Sequence, residues 1–195
     1  MLKPLSVRQE LLRRNVTVFT PQEFQRIFHT THFQTKYFLE KYAHEGLFWR
    51  LKKGFYTLKT DPPMEEEIAN LLYQPSYLSF EYALAWYNIL PEMPYGITSA
   101  TTKPTRTFEV GEKSFSYFTI KRQAYTGYLP VKRAGRTILL AEAEKALVDY
   151  LYFVALGKKP QNDRLYLTNL NKQKIFRYAK LYRRPGLEKI LEEVL

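Results

Sequence analysis

Nine side chains between Thr31 and Lys53 have the types and spacing to contact a nucleic acid. Gln34, Lys36, Tyr37 and Lys41 lie on one helical stretch, off the face formed by Thr35, Phe38, Leu39 and Tyr42. A carboxamide can make paired hydrogen bonds to adenine, an ammonium can reach guanine or phosphate, and an aromatic edge can touch the methyl group of thymine. Arg50, Lys52 and Lys53 follow in a short basic turn and suit phosphate, which carries no base information. Thr31 and His32, where the helical stretch begins, complete the candidate DNA-contacting set. The competing reading is a solvated polar face beside a hairpin used only for packing.

Other chemistry has less support. The chain has no Cys, which excludes disulfides, thiolate zinc sites and thiol nucleophiles. There is no phosphate-binding loop, no dinucleotide fingerprint and no metal-type His pair. His29 and His32 are three apart without a carboxylate at ligand spacing. A metal-dependent nuclease would need clustered acids with a Lys, for which Glu109, Glu112, Glu144 and Lys145 are the available residues; their spacing is not diagnostic. The expectation is a protein with no catalytic residue, no metal and no cofactor, with the nuclease kept as the alternative.

The elements that must position the candidate residues are well marked. Thr20, Pro21 and Glu23 form a helix start with a capping box, and Phe19 and Phe24 stand at the spacing of a hydrophobic staple. His29 and Thr30 make a turn. Thr31 with Gln34 can cap a second helix, which Gly46 is placed to end in the left-handed conformation. Two strand-like runs, 47–51 and 55–58, flank Lys52-Lys53-Gly54, and Gly54 suits a hairpin loop requiring positive φ. A shorter helix over 5–14, capped by Ser6, precedes them. Helix-turn-helix plus a basic hairpin is the winged-helix plan, with the second helix offered to the major groove.

Charge agrees with this placement. The 195 residues carry 30 basic and 19 acidic side chains, a formal net charge of +11. Residues 1–59 hold 11 basic and 4 acidic side chains, 60–157 hold 9 and 11, and 158–195 hold 10 and 4. A basic head and a basic tail suit a polyanion at the two ends only. No apolar run approaches the roughly 20 residues of a membrane span, so no membrane partner is expected, and a cytoplasmic location is.

The turn-rich Lys59–Pro63 places a boundary between a winged helix-turn-helix domain over 1–60 and a second domain over 61–195. A helix is predicted over 64–73, then one capped by Ser79. Strand-like runs follow at 96–102, 105–110, 114–120, 127–132 and 137–141, and a helix over 141–156. Residues 158–184 form a basic, partly amphipathic tail, and Pro185-Gly186 separates it from a last amphipathic helix. The fold class expected is α+β: an N-terminal winged helix-turn-helix followed by a mixed α/β domain with C-terminal helices.

Three blocks carry a family resemblance. PSYLSFEYAL at Pro75–Leu84 and AEAEKALVDYLY at Ala141–Tyr152 resemble the AbiEi-family antitoxins of AbiE-type, type IV toxin–antitoxin systems of bacterial abortive infection. GLFWRLKKGFYTL at Gly46–Leu58 looks like that family's wing. The resemblance covers roughly residues 15–155 and leaves the basic tail unmatched. It implies a transcriptional regulator that binds double-stranded DNA at its own promoter, and a second domain that counters a nucleotidyltransferase-like toxin. Direct contact with the toxin, a homodimer, and a regulator whose second domain binds a partner without any antitoxin role all stay open. The motif residues have a packing reading as well: Lys145 and Asp149 are an i,i+4 pair, and Ser79 is a helix cap.

Overall fold

Proline and apolar residues at helical spacing begin the first helix, α1 (Pro4–Arg13), which buries Val7 and Leu11. Pro4 occupies its first turn, where a missing N–H removes no intrahelical bond. Ser6, the expected cap, lies inside the helix, because Pro4 fixes the start two residues earlier and Lys3 holds the cap position. β1 (Val18–Phe19) leads into α2 (Pro21–Phe28), where Thr20 and Glu23 form a complete capping box. α3 (His32–His44) has a second complete box, Thr31 with Gln34. Gly46, at φ 84°, ends α3: its N–H bonds Ala43 O at 3.3 Å and the Leu47 N–H bonds Tyr42 O at 2.9 Å. These two bonds satisfy carbonyls that the helix end leaves open.

β2 (Phe48–Lys52) and β3 (Phe55–Leu58) form a hairpin, and β1 pairs with β3, giving an antiparallel sheet ordered β1-β3-β2. The helices and the sheet meet in an aromatic core. Phe19 packs on Phe24 at 5.9 Å and edge-on to Phe48 at 5.5 Å, and Phe24 packs on Phe38 at 5.6 Å. Val7, Leu11, Leu39 and Leu58 complete it.

The chain, described over residues 2–195 in a computed structural model, divides after Leu72 and not at Lys59–Pro63. α4 (Glu65–Leu72) belongs to the first unit because it is bonded into it: Thr17 donates to Glu67, and the Lys52 ammonium donates to Leu72 O. Ile68, Ala69 and Leu72 are buried. A turn-rich connector shows where the chain changes direction, and here the helix beyond it folds back onto the same core.

The second unit, Tyr73–Leu195, is built on a six-stranded mixed sheet. β4 (Ser76–Leu78) pairs antiparallel with β5 (Ile97–Thr101), which runs parallel to β7 (Lys113–Thr119). β6 (Arg106–Val110) hairpins onto β7, and β8 (Tyr128–Arg133) onto β9 (Arg136–Ala141), which runs parallel to β4. The sheet order is β6-β7-β5-β4-β9-β8. α5 (Phe80–Trp86) packs on α6 (Ala143–Ala155), and α7 (Lys172–Tyr182) and α8 (Pro185–Val194) also pack on α6. Ser79 precedes α5 without capping it. Thr98 on β5 does so instead: its hydroxyl accepts the Tyr82 N–H at 3.1 Å and donates to Ser79 O at 2.7 Å.

The basic tail becomes α7, capped by Asn171, whose side chain accepts from the Lys174 N–H. It lies so close to the start of β8 that a Cβ on Gly127 would come within 2.7 Å of the Tyr178 ring. With eight α-helices, one antiparallel sheet and one mixed sheet among the described residues, the class is α+β, as expected. No helix among these residues is long and apolar enough to cross a membrane.

Candidate nucleic-acid interface

α3 is fixed at both ends and along one side. Thr35, Phe38 and Leu39 are buried, and the Thr35 hydroxyl bonds back to Thr31 O at 2.9 Å. Away from that face lie Lys36 and Tyr37, both exposed, and Phe33, which is 78% exposed; His32 is exposed as the first residue of the helix. The sequence reading did not include Phe33. Its signal was present: it lies one turn before Tyr37 and off the apolar face, so a helix starting at Thr31 turns it outward. A single exposed apolar side chain is ordinary, but Phe33 stands one turn from the exposed Tyr37, so the two make an adjoining aromatic patch.

The remaining candidates differ in how they are held. Gln34 is exposed, but its carboxamide oxygen accepts the Thr31 N–H at 3.0 Å, and its backbone N–H donates to the Thr31 hydroxyl at 3.3 Å. Thr31 is thus a cap. Paired hydrogen bonds to adenine use both ends of a carboxamide, and the oxygen end of Gln34 is already engaged by the Thr31 N–H. Lys41 is half-buried, pairs with Glu45 at 3.9 Å and lies over the Tyr42 ring at 5.3 Å. With Leu2, Thr30, Gln34, Tyr37 and Phe38 it lines a groove of about 410 Å³ along α3.

On the hairpin, Arg50 and Lys53 are exposed, as phosphate contacts require. Lys52 is turned away. Its ammonium bonds Leu72 O, at the C-terminal end of α4, and lies 4.3 Å from the centre of the Phe55 ring. A helix C-terminus attracts a cation, so Lys52 holds α4 to the hairpin. The first unit as folded therefore offers fewer phosphate-seeking cations than its sequence suggested. It also contains Asp61, Glu65, Glu66 and Glu67, which the expected boundary had assigned elsewhere.

The second unit holds a sealed polar cluster. Lys145 and Asp149 form an ion pair on α6, and both are fully buried. Asp149 also accepts from Tyr77 at 3.0 Å, from Ser79 at 2.7 Å and from Tyr182. Burial pushes the Lys145 ammonium down, against the pull of Asp149, and pushes Tyr77 and Tyr182 well up, with Asp149 adding to both shifts. Side chains with no exposed surface cannot meet a substrate, so this cluster organises the fold.

Nearer the surface, Glu142 accepts from Lys174 at 2.8 Å and from Tyr178, and Glu144 pairs with the same Lys174 at 3.1 Å. Burial raises the Glu142 carboxyl, but the bonds from Lys174 and Tyr178 outweigh it and leave it lowered. The acids considered for a nuclease are dispersed: Glu109 on β6, Glu112 in the β6–β7 turn, and Glu144 on α6 facing Lys174. Lys145 points inward to Asp149. Among the described residues no group of three or more His, Asp or Glu could hold a metal ion.

Compared with models of known protein families and with curated proteins, the chain matches none.

Proposed function

We propose that the first unit is a winged helix-turn-helix that binds double-stranded DNA at the promoter of its own operon. α3 enters the major groove, and Arg50 and Lys53 contact phosphate. We further propose that the chain is an antitoxin regulator of the AbiE type, whose second unit counters a nucleotidyltransferase-like toxin.

One observation carries the DNA reading. α3 is capped at both ends, buried on one side, and presents Phe33, Lys36 and Tyr37 to solvent on the other. A rigid helix with an exposed aromatic and cationic face suits a groove floor edged by phosphates. The order α1-β1-α2-α3-β2-β3, with the sheet ordered β1-β3-β2, supports it by placing a basic hairpin directly after that helix. The antitoxin role is supported by the resemblance of Pro75–Leu84 and Ala141–Tyr152.

A reporter driven by the DNA upstream of the gene tests the regulator. The protein should repress it, and Lys36→Ala with Tyr37→Ala should release it at equal protein level. Equal output with and without the protein contradicts the reading. Cells expressing the adjacent gene's product test the second role. Growth restored by both the intact chain and the α3 double variant supports a neutralising second unit, and restoration by neither contradicts it.

A further inference from the structure

Phe33 and Tyr37 are large aromatic side chains that the described residues of the first unit leave more than half exposed, with Tyr37 also on the wall of the groove along α3. Phe33 is 78% exposed and Tyr37 55%. They sit one helical turn apart on α3, so their rings occupy neighbouring positions on one face. Lys36 is exposed on the other side of Phe33 from Tyr37. The backbone beneath is held by the Thr31–Gln34 box at one end and by the Gly46 closure at the other. The rings are therefore presented on a fixed helix, and their position does not depend on a mobile loop.

The floor of the major groove is polar at every base edge except one. Guanine and adenine present N7 with O6 or N6, cytosine presents N4, and thymine alone adds a methyl group. An apolar ring lowered into the groove gains only where it meets that methyl. Against the other edges it covers donors and acceptors without replacing their water, which is unfavourable. A cation beside the rings, such as Lys36, would reach guanine or phosphate but could not supply this preference.

Resting on the DNA-binding reading above, we propose that Phe33 and Tyr37 make α3 a reader of thymine methyl groups, so that the preferred duplex carries thymine where these two rings land.

The test begins with selection of bound sequences by the full-length chain from a pool of random-sequence duplexes. The best duplex is then remade with deoxyuridine in place of thymidine, one position at a time, which removes only the methyl. The loss of one buried methyl corresponds to about a fourfold weaker Kd at each read position. Wild-type protein should show this loss at two positions. Phe33→Ala should weaken binding to the thymine duplex and abolish the deoxyuridine penalty at one of them. Phe33→Leu, which keeps an apolar contact, should retain part of it, and Tyr37→Ala should act at the other position. Both residues are exposed, so these variants should keep the wild-type melting temperature.

Enriched sequences with no deoxyuridine penalty, or a penalty unchanged in Phe33→Ala and Tyr37→Ala, overturn the methyl reading and leave DNA binding intact. A pool that yields no enriched sequence overturns sequence reading by this chain altogether, and the methyl proposal with it.

Discussion

The Ser79 hydroxyl donates to Asp149 Oδ2 at 2.7 Å, across 70 residues of sequence. Asp149 also takes Tyr77, Lys145 and Tyr182, so β4, the start of α5, α6 and α7 converge on one buried carboxylate. Blocks Pro75–Leu84 and Ala141–Tyr152, read separately in the sequence, are thus two sides of a single packed site.

Asp149→Ala should leave a buried ammonium without its counter-charge, and we expect a loss of about 3–5 kcal/mol in urea unfolding of the full chain. Ser79→Ala, which removes one donor of several, should cost about 1 kcal/mol. Replacing the pair with Lys145→Met and Asp149→Leu should recover only the part owed to the unpaired ammonium, because the Tyr77, Ser79 and Tyr182 hydroxyls still lose their shared acceptor. A wild-type unfolding midpoint for Asp149→Ala would mean that the network does not hold the second unit together.

The same cluster sets an alkaline limit. Tyr77 and Tyr182 have folded-state values raised above the ordinary 10.0, chiefly by burial. The folded chain keeps their protons after the unfolded chain has lost them. Their contribution is therefore complete below pH 10 and is lost as pH rises above it. Lys145, lowered from 10.5, acts in the opposite direction up to that pH, above which it is neutral in both states. Melting temperature should fall steeply above about pH 10.5, and Tyr182→Phe should make the fall shallower. An equal slope in the two proteins would remove Tyr182 from the account.

Local signals were the legible ones. Both capping boxes, the Gly46 helix end and the three hairpins need only neighbouring residues, and their turn chemistry stands in the sequence. β4 was missed because Ser76–Leu78 is only three residues long and buried throughout, so it shows no alternation, and its partners on β5 and β9 are far along the chain. The boundary was misplaced because the attachment of α4 depends on Thr17 and Lys52, which are distant in sequence. In the candidate interface, position on the helix was legible and side-chain commitment was not. Gln34 and Lys52 have the right types, yet one is engaged in a cap and the other with the end of a helix.

That engagement makes Gln34 separable. Gln34→Glu keeps a residue that completes a capping box, but replaces an amide donor with a negative charge. Gln34→Ala removes the half of the box that its side chain makes, leaves the Thr31 cap in place, and should lower stability by less than about 1 kcal/mol. DNA affinity lost in both variants, with melting temperature lowered only in Gln34→Ala, would show that Gln34 faces DNA as well as its cap. Wild-type affinity in Gln34→Glu would confine it to the cap.

The most direct measurement is the salt dependence of binding between the intact chain and the duplex upstream of its own gene. Each phosphate neutralised contributes about 0.9 to the slope of log K against log salt. Arg50→Ala with Lys53→Ala should make the slope shallower by up to about 2 units. Lys52→Ala should keep the wild-type slope and lower the melting temperature, because its ammonium serves Leu72 O. No binding by the wild-type chain, or one slope shared by wild type and the Arg50/Lys53 variant, would contradict a DNA interface made by α3 and the β2–β3 hairpin.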